Sequence, residues 1–423
     1  MFLLYKFLTF TLYPLFILII YIRKILGKED SERFKEKLLQ SKNLNSIDKK
    51  KNLVWFHGAS IGEITSIIPI VEYLNNKNKN LFILITSVTL SSGKIVSEKF
   101  KDNKNILHQF FPLDVPHITK KFLDKWNPSI VMFIDSEIWP NFILEIKKRK
   151  KPLILLNGRI TKQSFRRWIF FKNFAKKIFS SFDVSIMSSH ESLDLLKKLG
   201  SKEVKYFGNL KFISKTEGQN QLLTNTKNIL NNYKVWCASN THEGEDLFCI
   251  NVHKKLKKHH NNTLTIIIPR HINRVEDIFL RCSSQNLKTQ IINEENEIKR
   301  DTEIVIINSY GILPKYYNYC KSIFMGKSLL KKLSFNGGQN PIEAVKSGCK
   351  VYYGPYVHNF NEVYDYLEKN KIAKKINDYE ELANNLLEDL KEPKKIDHVN
   401  IDKLNKFGKS IFDNTIKEID KFI

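Results

Sequence analysis

No Gly-x-Gly-x-x-Gly run occurs in this 423-residue chain, so the pyrophosphate-binding turn of a dinucleotide redox fold is missing. No Asp-x-Asp pair occurs either, which weakens a metal-dependent nucleotide-sugar site. Gly326-Lys327-Ser328 has the ending of a P-loop, but Lys321 stands where the first glycine belongs. His242-Glu243 lacks the second histidine of a zinc-protease helix. The five cysteines, Cys237, Cys249, Cys282, Cys320 and Cys349, form no Cys-x-x-Cys pair and no even disulfide set. A reducing compartment with buried apolar thiols follows. Acidic residues are also short, 44 against 69 basic ones, for a net charge of +25.

What is present describes a globular chain. An apolar fraction of 42% with 12% aromatics excludes a disordered or collagen-like protein, and the length predicts two domains of roughly 150–200 residues. Part of the positive charge lies in Lys/Asn-rich stretches, residues 75–80 and 254–262, that read as solvated compositional background. The rest suits anionic lipid, nucleic acid or an acidic substrate. Residues 7–22 are uncharged and strongly apolar, bracketed by Lys6 and by Arg23, Lys24 and Lys28. The run is short against the ~20 residues of a spanning helix, Pro14 interrupts it, and no small-residue cleavage site follows. It reads as a membrane anchor over residues 1–27, spanning or embedded, with a buried core helix as the alternative. The positive cluster after it keeps the main body on the cytoplasmic side.

From residue 53 onward short β-branched runs alternate with amphipathic stretches. Residues 53–57, 81–87, 130–134, 153–157 and 184–187 predict buried parallel strands, with helices over 62–74 and 140–150. Residues 214–232 are polar and rich in Asn, Gln and Thr, a candidate linker. The rhythm restarts with strands over 234–238, 263–268, 304–307, 322–325 and 349–353. The fold class is therefore α/β: two Rossmann-like doubly wound domains in tandem, over 28–213 and 233–400, facing a cleft. Ligands bind beyond the carboxyl ends of such strands, so functional residues should follow them.

They do. The first strand runs into His57-Gly58-Ala59-Ser60-Ile61-Gly62-Glu63. Ser60 and Glu63 have the spacing of a capping box, and Glu63 in a first helical turn can equally serve as an ionised base; both readings stand. Residues 130–134 end in Asp135-Ser136-Glu137-Ile138-Trp139-Pro140-Asn141, with Glu137 the better active-site candidate and Trp-Pro-Asn open to a structural role. Arg159 follows the next strand and Lys211 closes the first half, both available to an anionic or charged group, although a lysine in this composition is often plain surface. In the second half Ser239-Asn240-Thr241-His242-Glu243-Gly244-Glu245 and Pro269-Arg270-His271 follow strands. Asn336-Gly337-Gly338-Gln339-Asn340-Pro341-Ile342-Glu343 opens a helix after a flexible glycine pair. Arg270 suits bidentate phosphate contact, and Glu343 suits ribose hydroxyls.

Taken in order, these motifs, with Gly208-Asn209-Leu210-Lys211-Phe212 between them, resemble the 3-deoxy-D-manno-octulosonic acid (Kdo) transferases of lipid A synthesis. The resemblance runs from the amino terminus to at least Asn361. It implies a two-Rossmann (GT-B) glycosyltransferase with a carboxy-terminal helix, over 401–423, returning to the first domain. The implied reaction moves Kdo from CMP-Kdo to a hydroxyl of a lipid A precursor (lipid IVA), with inversion and without a metal or other cofactor. Glu63 matches the general base, and Glu137 and Lys211 match positions that support the transition state. Pro269, Arg270, the run Tyr310, Gly311 and Ile312, and Asn340, Pro341, Ile342 and Glu343 match contacts to CMP. Ser60, Gly62 and Arg159 fall at the acceptor side of the cleft. The implied partners are CMP-Kdo, the lipid A precursor and an inner membrane with anionic lipids, not nucleic acid.

Three positions depart from the family pattern. Ile312 stands where an acidic residue is usual, Gln339 replaces a His, and Gly326-Lys327-Ser328 replaces Gly-Gly-Ser. The alternatives are another nucleotide-sugar transferase or epimerase of the same fold, and a non-catalytic basic protein that binds membrane surfaces.

Overall fold

Short β-branched runs build two all-parallel sheets of seven strands each in this computed structural model, which describes residues 1–40, 52–213, 222–309, 311–335, 337–394 and 398–423. The chain divides into two units, Met1–Ser214 with Lys406–Ile423, and Lys215–Asn405. In the first, β1 (Asn52–His57), β2 (Leu81–Ser87), β3 (Ile106–Phe110), β4 (Ile130–Ile134), β5 (Leu153–Gly158), β6 (Val184–Met187) and β7 (Val204–Tyr206) lie in the order 3-2-1-4-5-6-7. In the second, β8 (Lys234–Thr241), β9 (Thr263–Pro269), β10 (Thr289–Ile292), β11 (Ile304–Ile307), β12 (Ser322–Met325), β13 (Lys350–Tyr353) and β14 (Ala373–Lys375) lie in the order 10-11-9-8-12-13-14.

Helices cover both faces of each sheet, so central strands such as β4, β5 and β9 are buried along their whole length and read as unbroken apolar runs. The four strands that the sequence pattern does not predict, β3, β7, β10 and β14, are the four sheet edges. An edge strand pairs on one side only and needs no continuous apolar run: His108 and Gln109 sit in β3, and Lys374 and Lys375 are exposed in β14.

The amino-terminal run is not one helix. It forms Phe2–Thr11 and Tyr13–Ile25, bent by 53° where Leu12 ends the first and Pro14 enters the first turn of the second. Neither helix is long and apolar enough to cross a membrane alone; the bent pair meets that test together, by length and composition. One side is tied to the first unit. The Tyr5 hydroxyl donates to Asp114 Oδ2 at 2.8 Å, Asn141 Nδ2 donates to Thr9 Oγ1 at 3.2 Å, the Tyr13 and His117 rings meet edge-on at 4.6 Å, and Ile20 is buried with Phe34 and Leu38. The remaining surface leaves Leu3, Phe7, Phe10, Leu15, Leu18 and Ile22 exposed.

The carboxy-terminal helix, His398–Ile419, packs on the first unit from Lys406 onward. Phe407 meets Phe212, Phe412 meets Tyr73, and Asp420 and Glu418 pair with Lys77 and Lys205. Gly208, at φ +117°, permits this contact, because a Cβ there would stand 2.5 Å from Ile411 Cδ1. Within the stretch read as a linker, Thr224–Asn232 is a helix that buries Ile229 and Leu230; residues 214–221 lie outside the described residues. All five cysteines are buried and free.

Candidate active site

In the first sheet the strand order turns back between β1 and β4, and in such sheets the crevice for a ligand opens at that switch point. The loop after β1 supplies Glu63 and the loop after β4 supplies Asp135 and Glu137. Glu63 lies in the first turn of the helix Ile61–Lys77. Its Oε2 accepts the Ala59 N–H at 2.6 Å and its Oε1 accepts the Ser60 hydroxyl at 2.7 Å. Ser60 therefore donates to the carboxylate instead of capping the helix with its oxygen, so the capping box is not the one its spacing suggests. Burial pushes the Glu63 carboxyl up, and the charges of Asp135 and Glu137 push it further, to about 7, against the pull of its two donors. The helix dipole does not prevail; Glu63 sits where a base can both take and release a proton at neutral pH. Gly58 makes room for this side chain, since a Cβ there would stand 3.2 Å from Glu63 Cβ.

Glu137 is held differently. His57 Nε2 lies 3.1 Å from its Oε2 and the Trp139 indole N–H donates to the same oxygen at 2.8 Å. Trp55 donates to the Thr86 hydroxyl at 2.9 Å, that hydroxyl donates to the Phe56 carbonyl at 3.3 Å, and His57 Nδ1 lies 3.0 Å from the hydroxyl and 3.2 Å from the Thr86 carbonyl. These contacts fix the ring so that its Nε2 faces Glu137. Burial pushes Glu137 up, but the His57 and Trp139 donors outweigh it and leave the carboxyl below the usual carboxylate range. Two carboxylates near one another are thus driven apart, one poised and one fixed as an anion. His57 itself is fully buried and stacks on Phe111 at 3.6 Å.

Lys211 lies in the short helix Leu210–Ile213, with its Cε 3.9 Å from where a Cβ on Gly62 would be. Asn157, at the end of β5 and with φ +53°, accepts the Leu210 N–H at 2.9 Å and so fixes that turn. Arg159 is half-buried; its N–H donates to the Asp135 carbonyl at 3.1 Å, which ties the β5 loop to the β4 loop. Ser60, Gly62, Glu63, Glu137 and Lys211 thus come from loops of one unit at the carboxyl ends of its strands. Trp-Pro-Asn divides its work. Trp139 holds Glu137, whereas Asn141 and Phe142 donate their N–H groups to the buried Asp114 carboxylate at 3.1 and 2.9 Å, which caps the helix Pro140–Lys148.

The second sheet turns back between β8 and β12. The Glu245 carboxylate there is fully buried and accepts four backbone N–H groups: His242 at 2.9 Å, Lys327 at 2.7 Å, and Ser328 and Leu329 at 3.0 Å each. It fastens the loop after β12 to the loop after β8. Arg270 follows Pro269 at the end of β9; its N–H is anchored on the Thr241 carbonyl at 3.0 Å while its side chain is exposed. Arg274 pairs with buried Asp246 beneath it. Burial lowers His242, and the surrounding Lys327, His271, Arg274 and Arg270 lower it further, to about 4. A neutral histidine among cations marks a place suited to an anion.

The other second-unit residues are placed as follows. Asn340 Oδ1 accepts the Ile342 N–H at 3.2 Å and opens the helix Ile342–Lys346. Pro341 and Ile342 are buried, Ile342 completely, while Asn340 and Glu343 are half-buried. The glycine pair is not loose: a Cβ on Gly337 would stand 2.2 Å from the Tyr356 carbonyl oxygen. Gly311 is exposed at φ +82°, Ile312 is buried as the residue preceding the helix Leu313–Tyr317, and Tyr310 and Asn336 lie outside the described residues. The sequence reading missed the roles of Glu245, Asp114 and Thr86. The three-residue spacing of His242 and Glu245 before a helix could have flagged Glu245; nothing local flags the other two.

Residues 32–214 match the family model described as 3-deoxy-D-manno-octulosonic-acid transferase (kdotransferase). A 3-deoxy-D-manno-octulosonic acid transferase of Rickettsia bellii is 31% identical over 391 residues, covering 92% of this chain and 91% of the relative. The chain belongs to the Kdo transferase family. A Haemophilus influenzae relative of the same name is 27% identical over 320 residues, covering 74% of this chain and 72% of its own. Among solved structures, a UDP-N-acetylglucosamine 2-epimerase from Rickettsia bellii aligns with a TM-score of 0.53 at 14% identity, over 88% of this chain and 98% of that one. At that identity the likeness shows the fold alone, two Rossmann-like domains of the GT-B type, and Kdo transferase membership favours the transferase reading over the epimerase and binding-only alternatives.

Proposed function

We propose that this Kdo transferase family member moves Kdo from CMP-Kdo to a hydroxyl of a lipid A precursor (lipid IVA), with inversion and without a metal, at the cytoplasmic face of the inner membrane. The observation that carries the reading is Glu63, half-buried beside two other carboxylates and poised at about 7, at the switch point of the first sheet. Glu63 takes the proton of the acceptor hydroxyl as that oxygen attacks the anomeric carbon of Kdo. The bond from that carbon to the CMP oxygen breaks on the opposite face, which inverts the centre. Glu137, held as an anion by His57 and Trp139, supports the positive charge that develops on the sugar ring, and Lys211 offsets negative charge nearby. Arg270 meets the charge left on the CMP phosphate. With side-chain cations in that role, transfer is expected to be insensitive to EDTA.

The membrane part of the reading is supported by the amino-terminal helix pair. Polar ties hold one side to the protein, while Leu3, Phe7, Phe10, Leu15, Leu18 and Ile22 are exposed and Arg23 and Lys24 follow in the last turn of the second helix. A bent, tied pair suits embedding in one leaflet, with the basic residues at anionic head groups. The test is to incubate membranes containing the protein with CMP-Kdo and the lipid A precursor, with and without EDTA. A Kdo-bearing lipid in both samples is the expected result; no such product where a known transferase of this family makes one would overturn the proposal.

A further inference from the structure

Lys327 is a lysine in a left-handed backbone conformation, φ +58°, two residues past the end of β12. Two other lysines with positive φ, Lys150 and Lys371, lie just past the ends of the helices Pro140–Lys148 and Asn361–Lys369, where such a conformation is an ordinary way to terminate a helix. Lys327 ends no helix. Its backbone is clamped on both sides: its N–H donates to Glu245 Oε2 at 2.7 Å and its carbonyl accepts the Gly338 N–H at 2.6 Å. The residue before it, Gly326, is pressed so closely onto the β8 loop that a Cβ would stand 2.6 Å from the Asn240 carbonyl oxygen. The chain therefore fixes the conformation here, and glycine would meet it without strain.

What the lysine adds is charge in a defined place. It stands at the switch point of the second sheet, close enough to His242 to be the first charged group that lowers that imidazole. The His242 Nε2 atom is buried and has no hydrogen-bond partner among the described residues. Arg270 supplies a second cation from the neighbouring strand end. A strained cation, a second cation and an unsatisfied imidazole nitrogen converge where a parallel sheet opens its ligand crevice.

We infer that Lys327, with His242 Nε2, forms an oxyanion subsite of the donor pocket that holds either the phosphate or the sugar carboxylate of the nucleotide-sugar. This rests on the donor reading above. Lysine at this position then exchanges some fold stability for donor affinity.

The experiment compares the full-length wild type with Lys327→Gly and Lys327→Gln by CMP calorimetry, by the KM for CMP-Kdo and by thermal melting. Lys327→Gly should melt higher, by about 2 °C, because glycine relieves the backbone, and should bind the donor about tenfold more weakly. Lys327→Gln, which keeps a side chain in the strained backbone, should lose donor affinity without the gain in melting temperature. A loss of affinity for CMP itself assigns the subsite to phosphate. Unchanged CMP affinity with a raised KM for CMP-Kdo assigns it to the sugar carboxylate. Unaltered CMP affinity and KM in both variants, or a lower melting temperature for Lys327→Gly, would overturn the inference while leaving the donor reading intact. A wild type that neither binds CMP nor transfers Kdo would overturn both.

Discussion

At its switch point the first sheet gathers Glu63, Asp135 and Glu137, whereas the second gathers His242, Arg270, Arg274 and Lys327. Both units use parallel strands, and both aim loops past the carboxyl ends of the two strands where the order turns back. The difference lies in which side chains the loops carry and in how neighbours shift them. Crowded carboxylates raise one of their number towards neutrality, as a base requires. Crowded cations keep a histidine neutral and leave positive charge for an anion. Topology thus sets the places, and the residues after each strand set opposite electrostatics, which the proposed function uses for proton removal in one half and phosphate binding in the other.

The sharpest way to break this comparison is at Glu63. Glu63→Gln should lower the rate of Kdo transfer by about 10³-fold. In the wild type, kcat/KM should rise with pH up to about 7 and level off above it, because the base must be ionised and burial has moved it there. A rate that stays level down to pH 5 would contradict that assignment. Next in size, Arg270→Ala should weaken CMP binding by about 10- to 100-fold, as expected for one charge-assisted contact, with a smaller change in kcat at saturating donor.

A smaller effect sharpens the contrast between the two glutamates. Trp139→Phe removes one donor from Glu137 and lets burial push its carboxyl up, so activity should fall about 3- to 10-fold, most at the acid end of the profile. The smallest concerns stability. Glu63 is raised in the folded state above its ordinary 4.5, so its favourable contribution is complete below that value and is lost as pH rises through about 7. Glu63→Gln carries no such loss. It should therefore match the wild type near pH 4.5 and exceed it at pH 8, by about 1 kcal/mol after screening of a half-buried group, in denaturant melts at the two pH values.

Much of this was legible in the chain. The central strands are buried on both faces and so print as unbroken apolar runs, and the loops after them carry the motifs that place Glu63, Glu137 and Arg270. The edge strands were not legible, because pairing on one side asks little of their composition. Nor was the direction of the Glu63 shift: a first-turn glutamate reads as ionised until Asp135 and Glu137, more than 70 residues away in sequence, are brought beside it. Glu245 reads as an ordinary first-turn residue, yet its carboxylate binds the backbone of a loop about 80 residues on. The break at Leu12 was foreshadowed by Pro14, but the ties from Tyr5 to Asp114 and from Thr9 to Asn141 depend on side chains over 100 residues distant.

The division of labour between the halves is tested most directly by CMP calorimetry on Glu63→Gln. If the base lies in the first half and the donor site in the second, this variant forms no Kdo-bearing lipid yet binds CMP with a Kd within about twofold of the wild type. A loss of CMP affinity as large as that of Arg270→Ala would place Glu63 in the donor site and contradict the account.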